Sequence, residues 1–172
     1  MSGAPEASSP IRVILRLRPT SLANGFPSSA FSIRHGGGAL TVASRPTASR
    51  NAAEAHTLDG VTVLPCSATQ EDCYAAVARD LVEGAVIGGV SATILAYGQT
   101  GSGKTHSMVG SGGGGSFEGR GIMPRALAHA FALADGLAAR AGEAGAAPPT
   151  FRLSYIEVLE HGIVDLLARA PE

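Results

Sequence analysis

The sequence predicts an α/β fold, in which helices flank a sheet, from three observations. Residues 11–17 are rich in β-branched and apolar side chains and stop before Pro19, as a strand does. Residues 92–97, Ala-Thr-Ile-Leu-Ala-Tyr, resemble a short strand buried on both faces. Between them, one apolar helical face recurs every fourth position at Cys73, Val77, Leu81 and Ala85. Strands that alternate with helices indicate an α/β sheet.

The bulk composition excludes several classes of protein. The 172 residues correspond to one domain or to part of a larger one, since a domain holds about 100–200 residues. The formal net charge of −1 provides no overall basic field for nucleic acid. No run reaches the roughly 18 unbroken apolar residues of a membrane span.

The first ten residues and the cysteines favour a protein of the cytoplasm. Residues 1–10, rich in Ser, Pro, Ala and Gly, predict a disordered leader without the basic and apolar regions of a secretion signal. Cys66 and Cys73 are too few for a disulfide framework, and nothing nearby completes a zinc site. We expect both to be small buried hydrophobes in a reducing compartment.

The first third of the chain predicts short strands. Residues 31–33 and 40–42 flank His35 and three glycines, which indicates a hairpin with a glycine turn. Residues 43–55 are small and polar, as in an exposed loop. Residues 58–64 predict a weak strand or an extended segment that ends at Pro65.

The middle of the chain predicts a capped helix. Thr69 is the expected N-cap, Glu71 and Asp72 occupy the first turn, and Gly88 with Gly89 ends the helix. After the strand at 92–97, another helix is expected to begin near Lys104.

The last third predicts a flexible segment, a helix and a strand. Residues 110–121 are rich in glycine, and Pro124 fits the first turn of a following helix that breaks within residues 142–149. That helix carries Leu127, Phe131, Ala134 and Leu137. Residues 151–159 then predict a strand, and residues 163–168 a short helical turn.

Residues 98–105 match the phosphate-binding pattern G-x-x-x-x-G-K-[ST]. The match consists of Gly98, Gln99, Thr100, Gly101, Ser102, Gly103, Lys104 and Thr105. The glycines permit backbone angles that side chains forbid, so that amides can approach phosphate oxygens closely. Lys104 would reach the β- and γ-phosphates and the Thr105 hydroxyl would ligate Mg²⁺. The pattern therefore predicts binding of a nucleoside triphosphate, with ATP expected.

Two further facts bear on this motif. Lys104 is the only lysine among the 13 basic residues, and a compact ammonium fits between phosphate oxygens better than a planar guanidinium. The alternative is a flexible glycine linker, since a chain with 23 glycines produces chance matches. A linker fits poorly between a predicted buried strand and a helix start, the context that the motif requires.

Residues 96–108 closely resemble the nucleotide loop of the kinesin motor domain. Gln99, Thr100, Ser102 and Met108 are not demanded by phosphate chemistry, so their agreement points to a family. Four further segments resemble that family in the same order, namely residues 11–19, 69–74, 121–125 and 154–167. The resemblance implies that residues 11–172 are the N-terminal part of a kinesin motor, with an incomplete P-loop NTPase-type sheet.

The resemblance also implies a site for the base. Arg16, Arg18 and Pro19 would border the adenine, and Tyr74 would pack near it. The alternatives are a solvated strand edge for the arginines and a half-buried core position for Tyr74. His106 is expected to be a plain histidine on a helix surface.

The chain departs from the family in two places. Val158, Leu159, Glu160 and His161 stand where the family has Ile-Tyr-Asn-Glu, on its polymer-binding side. The two switch segments, Asn-x-x-Ser-Ser-Arg-Ser-His and Asp-Leu-Ala-Gly-Ser-Glu, do not occur in the 172 residues. Asp135 and Asp165 are poor substitutes for the missing metal ligand, because a helix residue and a turn residue are expected there. We therefore expect this chain alone to be poorly stable and to hydrolyse little or no ATP.

Three functions remain open from the sequence. The first is part of a motor that couples ATP hydrolysis to movement along microtubules in the cytoskeleton. The second is a P-loop kinase or GTPase, but the Asn-Lys-x-Asp guanine motif cannot occur because Lys104 is the only lysine. The third is a non-motile nucleotide-binding remnant that regulates a partner.

Overall fold

A computed structural model describes residues 11–19, 31–33, 39–43, 55–111, 116–144 and 150–168. It divides into two compact units, Met1–Phe131 and Ala132–Glu172. Its strands are β1 (Ile14–Arg16), β2 (Phe31–Ile33), β3 (Ala39–Ala43), β4 (Ala55–Asp59), β5 (Thr62–Leu64), β6 (Ile156–Leu159) and β7 (Gly162–Asp165). Its α-helices are α1 (Gln70–Val77), α2 (Arg79–Gly88), α3 (Lys104–Met108) and α4 (Ile122–Ala144).

In its described residues, the first unit contains two small sheets. β1 pairs with β5 in parallel, and β2, β3 and β4 form an antiparallel sheet. The predicted first strand is confirmed over three residues, and the predicted hairpin is confirmed as the β2–β3 pair. Its glycine turn and residues 44–54 of the predicted loop lie outside the described residues. The weak strand or extended segment expected at 58–64 is interrupted, because Gly60 turns the chain at φ +72° and separates β4 from β5.

The strand expected at residues 92–97 is not formed. This segment pairs with no strand among the described residues, and Leu95 and Tyr97 are 84% and 96% exposed. A strand that is apolar on both faces needs sheet neighbours to satisfy its backbone and layers to cover its side chains. Within the described ranges no strand pairs with this backbone, although the Ile94 side chain packs against buried core residues.

The predicted helix cap at Thr69 is confirmed. The Thr69 hydroxyl accepts from the Asp72 amide at 3.0 Å, and the Asp72 carboxylate accepts from the Thr69 amide at 2.8 Å. The single predicted helix is interrupted, however, because Ala78 has φ −125° and separates α1 from α2. α2 ends as expected, with Gly89 in the left-handed region at φ +67°.

The core of the first unit lies between β5, α1 and the start of α4. Its buried members are Leu64, Cys73, Tyr74, Ala78 and Ile122. Burial of Cys73 agrees with the expected buried hydrophobe and raises the pKa of its thiol. The predicted face with a spacing of four is only partly buried: Cys73 is buried, Val77 and Leu81 are half-buried and Ala85 is exposed. Tyr74 and Ala78, on the neighbouring positions, join Cys73 in the core.

The glycine-rich segment and α4 follow the prediction in part. Gly110 bridges to Arg120, and Phe117–Gly119 forms a 3₁₀ helix, while residues 112–115 lie outside the description. Pro124 lies in the first turn of α4, as expected, and this helix runs two residues beyond Gly142. Among the described helices, none combines the length and apolar character required to span a membrane.

The C-terminal unit contains a hairpin where a strand and a helical turn were expected. β6 begins at Ile156 rather than at residue 151, and β7 pairs with it antiparallel from Leu159↔Gly162 to Ile156↔Asp165. The helical turn at 163–168 is wrong for a physical reason. Ile163 and Val164 are β-branched and follow a two-residue turn, which favours a second strand. Asp135 lies in helix α4, as expected, and Asp165 ends β7.

Candidate nucleotide-binding site

The loop at residues 98–103 is a series of turns that leads directly into α3. The Ser102 amide donates to the Gln99 carbonyl at 3.1 Å, which closes one turn. Gly101 and Gly103 have φ +79° and +102°, a region that is costly for residues with a Cβ. These two glycines are therefore required by the shape of the loop itself.

The ammonium of Lys104 folds back over this loop. Its Nζ donates to the carbonyl oxygens of Gly98 at 2.8 Å and Gln99 at 3.0 Å. An ammonium has three N–H donors, so one donor remains beyond these two bonds. The first intrahelical bond of α3 runs from the Ser107 amide to Gly103 at 2.9 Å, so the amides of residues 104–106 precede it. The ammonium and these amides thus fit a triphosphate.

Thr105 lies exposed on the first turn of α3, next to Lys104. Its carbonyl oxygen accepts from the amides of Val109 at 2.8 Å and Gly110 at 3.2 Å. Through these bonds, the residues that follow α3 hold the backbone of Thr105 in place. Ligation of Mg²⁺ by its hydroxyl stays a prediction.

Arg18 connects the end of β1 to the phosphate loop. Its Nη1 donates to the Gly101 carbonyl, and its own carbonyl accepts a weak hydrogen bond from Cys66 Sγ at 3.6 Å. Arg18 and Pro19 are both exposed. The structure therefore brings Arg18 to the loop at Gly101, and the predicted contact of Arg18 or Pro19 with adenine stays a prediction.

Arg16 is held inside the protein by three hydrogen bonds. Its Nη1 donates to Gln70 Oε1 at 2.9 Å and to Ser107 Oγ at 3.0 Å, and its Nη2 donates to the Ala68 carbonyl at 3.5 Å. A solvated strand edge therefore does not describe Arg16. Its place beside adenine stays a prediction.

Tyr74 lies in the core of the first unit, with 4% of its surface exposed. Its hydroxyl lies 2.7 Å from His129 Nδ1, and the Arg79 guanidinium is 5.8 Å from its ring centroid. Burial raises the pKa of the Tyr74 phenol. The core position anticipated as the alternative is what the structure shows, and a contact with adenine stays a prediction.

The resemblance to known proteins agrees with this loop. The kinesin motor domain family matches residues 16–172. The chain belongs to the kinesin motor domain family. It is 38% identical to the human kinesin-like protein KIF9 over 114 residues, which are 66% of this chain and 13% of that protein. It is 43% identical to mouse kinesin-like protein KIF21B over 100 residues, which are 56% of this chain and 6% of that one.

A solved kinesin structure has a similar fold. The motor domain of the Kar3-like kinesin from Ashbya gossypii superposes with a TM-score of 0.67 and 28% identity, covering 91% of this chain and 46% of that one. The predicted fold class, part of a kinesin motor fold, is therefore confirmed. The chain spans less than half of that motor domain and a small fraction of its curated kinesin relatives.

Two residues of this kinesin chain that matter for the loop were not singled out from the sequence. The Gln70 side chain, 6% exposed, joins Arg16 to His106. Arg125, whose side chain is 4% exposed, pairs with Glu71. Gln70 has no local sequence signal, because its partners Arg16 and His106 are distant in the chain. Arg125 combines the distant Glu71 with three carbonyls of the preceding glycine-rich segment, which carries no recognisable pattern.

Arg125 anchors the return of the glycine-rich segment. Its guanidinium donates to the carbonyls of Arg120 at 2.8 Å, Phe117 at 3.0 Å and Glu118 at 3.1 Å. Its charge is balanced by the half-exposed carboxylate of Glu71. This segment begins at the end of α3, so Arg125 fixes the chain that follows this helix.

Proposed function

We propose that this chain is the ATP-binding part of a motor that couples ATP hydrolysis to movement along microtubules. The observation that carries the proposal is the loop at 98–105, where Lys104 is held by Gly98 and Gln99 in a member of the kinesin motor family. The ammonium lies over a loop whose carbonyl oxygens hold it and whose glycines allow backbone amides to approach an anion, which suits the phosphates of a nucleotide.

The proposal assigns roles to the residues around the loop. The amides of residues 101 and 103–105 and the Lys104 ammonium would bind the phosphates, and Thr105 would hold Mg²⁺. The Ser102 amide is engaged by the Gln99 carbonyl. Arg18 already donates to the Gly101 carbonyl, which fits a place beside the nucleotide. Pro19, Arg16 and Tyr74 complete the proposed set on the base side, of which Arg16 and Tyr74 would act from partly or fully buried positions.

Movement along microtubules is proposed for a complete motor that contains this sequence, and not for the 172 residues alone. In such motors the γ-phosphate orders switch segments and its loss releases them, which converts chemistry into motion. The two switch sequences of the family do not occur in the 172 residues. The chain by itself is therefore expected to bind ATP with Mg²⁺ and to turn it over little. Microtubules are its proposed partner and the cytoskeleton its proposed location.

The test measures binding and turnover separately. Titration with a fluorescent ATP analogue should give saturable, Mg²⁺-dependent binding, while ATP turnover with and without microtubules should stay near background for the isolated chain. Absence of binding would contradict the nucleotide assignment. Steady microtubule-stimulated turnover by the isolated chain would contradict the expectation that these residues alone hydrolyse little ATP.

A further inference from the structure

The side-chain amide of Gln70 is buried at the start of α1 and is bonded on both sides. Its Oε1 accepts from Arg16 Nη1 at 2.9 Å. Its Nε2 donates to the His106 carbonyl at 2.8 Å and lies 3.1 Å from the His106 ring Nε2. Only 6% of the surface of Gln70 is exposed, so water cannot replace these hydrogen bonds if they are broken. Losing them would therefore cost free energy.

These bonds join α3 to two elements that lie far from it in sequence. His106 is two residues beyond Lys104 and directly follows Thr105. Arg16 adds a second connection from β1, because its Nη1 also donates to Ser107 Oγ at 3.0 Å. Both connections therefore reach the five residues that carry the proposed phosphate and metal ligands.

A five-residue helix cannot hold its own geometry. Isolated helices shorter than about 12–15 residues are marginal in water, so α3 depends on contacts outside itself. Its end is fixed by the Gly121 amide, which donates to the Val109 carbonyl at 3.0 Å. Near its start, the side chain that bonds its backbone from another element is Gln70.

We propose that Gln70 is a positioning residue for the phosphate loop. By holding the His106 carbonyl, it fixes α3 and with it the placement of Lys104 and Thr105. It touches no phosphate itself. The inference rests on the proposed nucleotide function of the loop. It adds Gln70 as a residue that acts on the loop through His106.

The competing explanation is that Gln70 only stabilises α1. The neighbouring residue provides a matched control, because Thr69 caps the same helix end through Asp72 and its capping bonds do not involve α3. Thr69→Ala should lower stability through the lost cap and leave α3 untouched. Gln70→Leu removes the bonds to both Arg16 and His106.

A second variant keeps the shape of the side chain. Gln70→Glu can still accept from Arg16, but a carboxylate has no N–H to donate to the His106 carbonyl. It therefore separates the bond to α3 from the bond to β1. It also serves if Gln70→Leu does not fold.

The experiment measures the affinities of Mg·ATP and of Mg·tripolyphosphate for the purified chain and these variants. Each protein is first checked by urea unfolding, and binding is measured where each is folded. We expect Gln70→Leu and Gln70→Glu to lower the affinity for each ligand about tenfold. The factor should be the same for ATP and tripolyphosphate, because the lost bond acts on the phosphate loop and not on the base. Thr69→Ala should stay within about twofold of the original.

Three results would overturn the inference. Equal weakening by Thr69→Ala and the Gln70 variants would mean that only stability matters. A lower affinity for ATP with an unchanged affinity for tripolyphosphate would place the effect on the base side. Unchanged affinity in Gln70→Glu would show that the bond to His106 is not needed. If the original chain bound neither ligand, the proposed function itself would fail before any variant was compared.

Discussion

The Nζ atom of Lys104 lies 2.8 Å from the carbonyl oxygen of Gly98, six residues earlier in the chain. A second bond, to Gln99 at 3.0 Å, holds the same ammonium. The loop is thus closed on itself by the residue that is proposed to bind phosphate. Because the ammonium is held before any ligand arrives, less conformational freedom has to be lost on binding.

The first prediction concerns backbone strain at Gly103. Gly103→Ala should lower the free energy of unfolding by about 1–3 kcal/mol, because φ +102° is unfavourable for alanine although open space surrounds the position. Gly136→Ala is the matched control, since Gly136 lies within α4 with no atom near its added Cβ. It should raise stability by about 0.5–1 kcal/mol. Urea unfolding of both variants measures the difference, and the same sign for both would contradict the loop geometry.

The second prediction compares two arginine ion pairs. Arg125→Ala should cost about 2–4 kcal/mol, because three backbone carbonyls and the Glu71 carboxylate lose a buried donor. Arg12→Ala breaks the exposed pair with Asp80 and should cost less than about 1 kcal/mol. Thermal or urea unfolding provides the comparison. Equal losses would show that burial of Arg125 does not govern its contribution.

The third prediction concerns acid. Hydrogen bonds from the Thr69 amide and hydroxyl lower the pKa of Asp72 from its ordinary value of 3.8. A lowered carboxyl pKa stabilises the fold above the ordinary value, and that stability is lost as the pH falls through the folded pKa. In Asp72→Asn, the free energy of unfolding should therefore decrease less steeply as the pH falls below about 4.

The control for this change is Asp135→Asn on an exposed part of α4. Urea midpoints of the three proteins between neutral pH and about pH 3 make the comparison. An acid profile of Asp72→Asn that matches the original chain would contradict the role of the cap.

The prediction from sequence succeeded where the signal is local. Thr69 and Asp72 are three residues apart, Gly89 directly follows the helix that it ends, and the pattern at 98–105 contains its own turns. It failed where the outcome depends on distant partners. Residues 92–97 have the composition of a buried strand but no neighbour among the described residues, and Gln70 and Arg125 are buried by residues that sequence spacing does not reveal.

A fourth prediction tests the unpaired segment at residues 92–97. Its amides should exchange with solvent rapidly, because no ladder protects them within the described ranges. The amides of Leu17 and Thr62 provide the internal control, since each donates to a carbonyl of the paired strand region at 3.0 Å. Hydrogen exchange followed by NMR resolves the two sets. Protection of Leu95 equal to that of Thr62 would show that this strand is paired.

The central claim is that the ammonium of Lys104, held over the loop, binds the phosphates of ATP. Calorimetric titration of Mg·ATP into the chain and into Lys104→Ala tests it most directly, with Arg140→Ala, an exposed α4 residue, as the charge control. We expect one site in the original chain and in Arg140→Ala, and at least about 100-fold weaker binding in Lys104→Ala, which loses a charge-assisted contact. Equal affinity of Lys104→Ala and the original chain would contradict the claim.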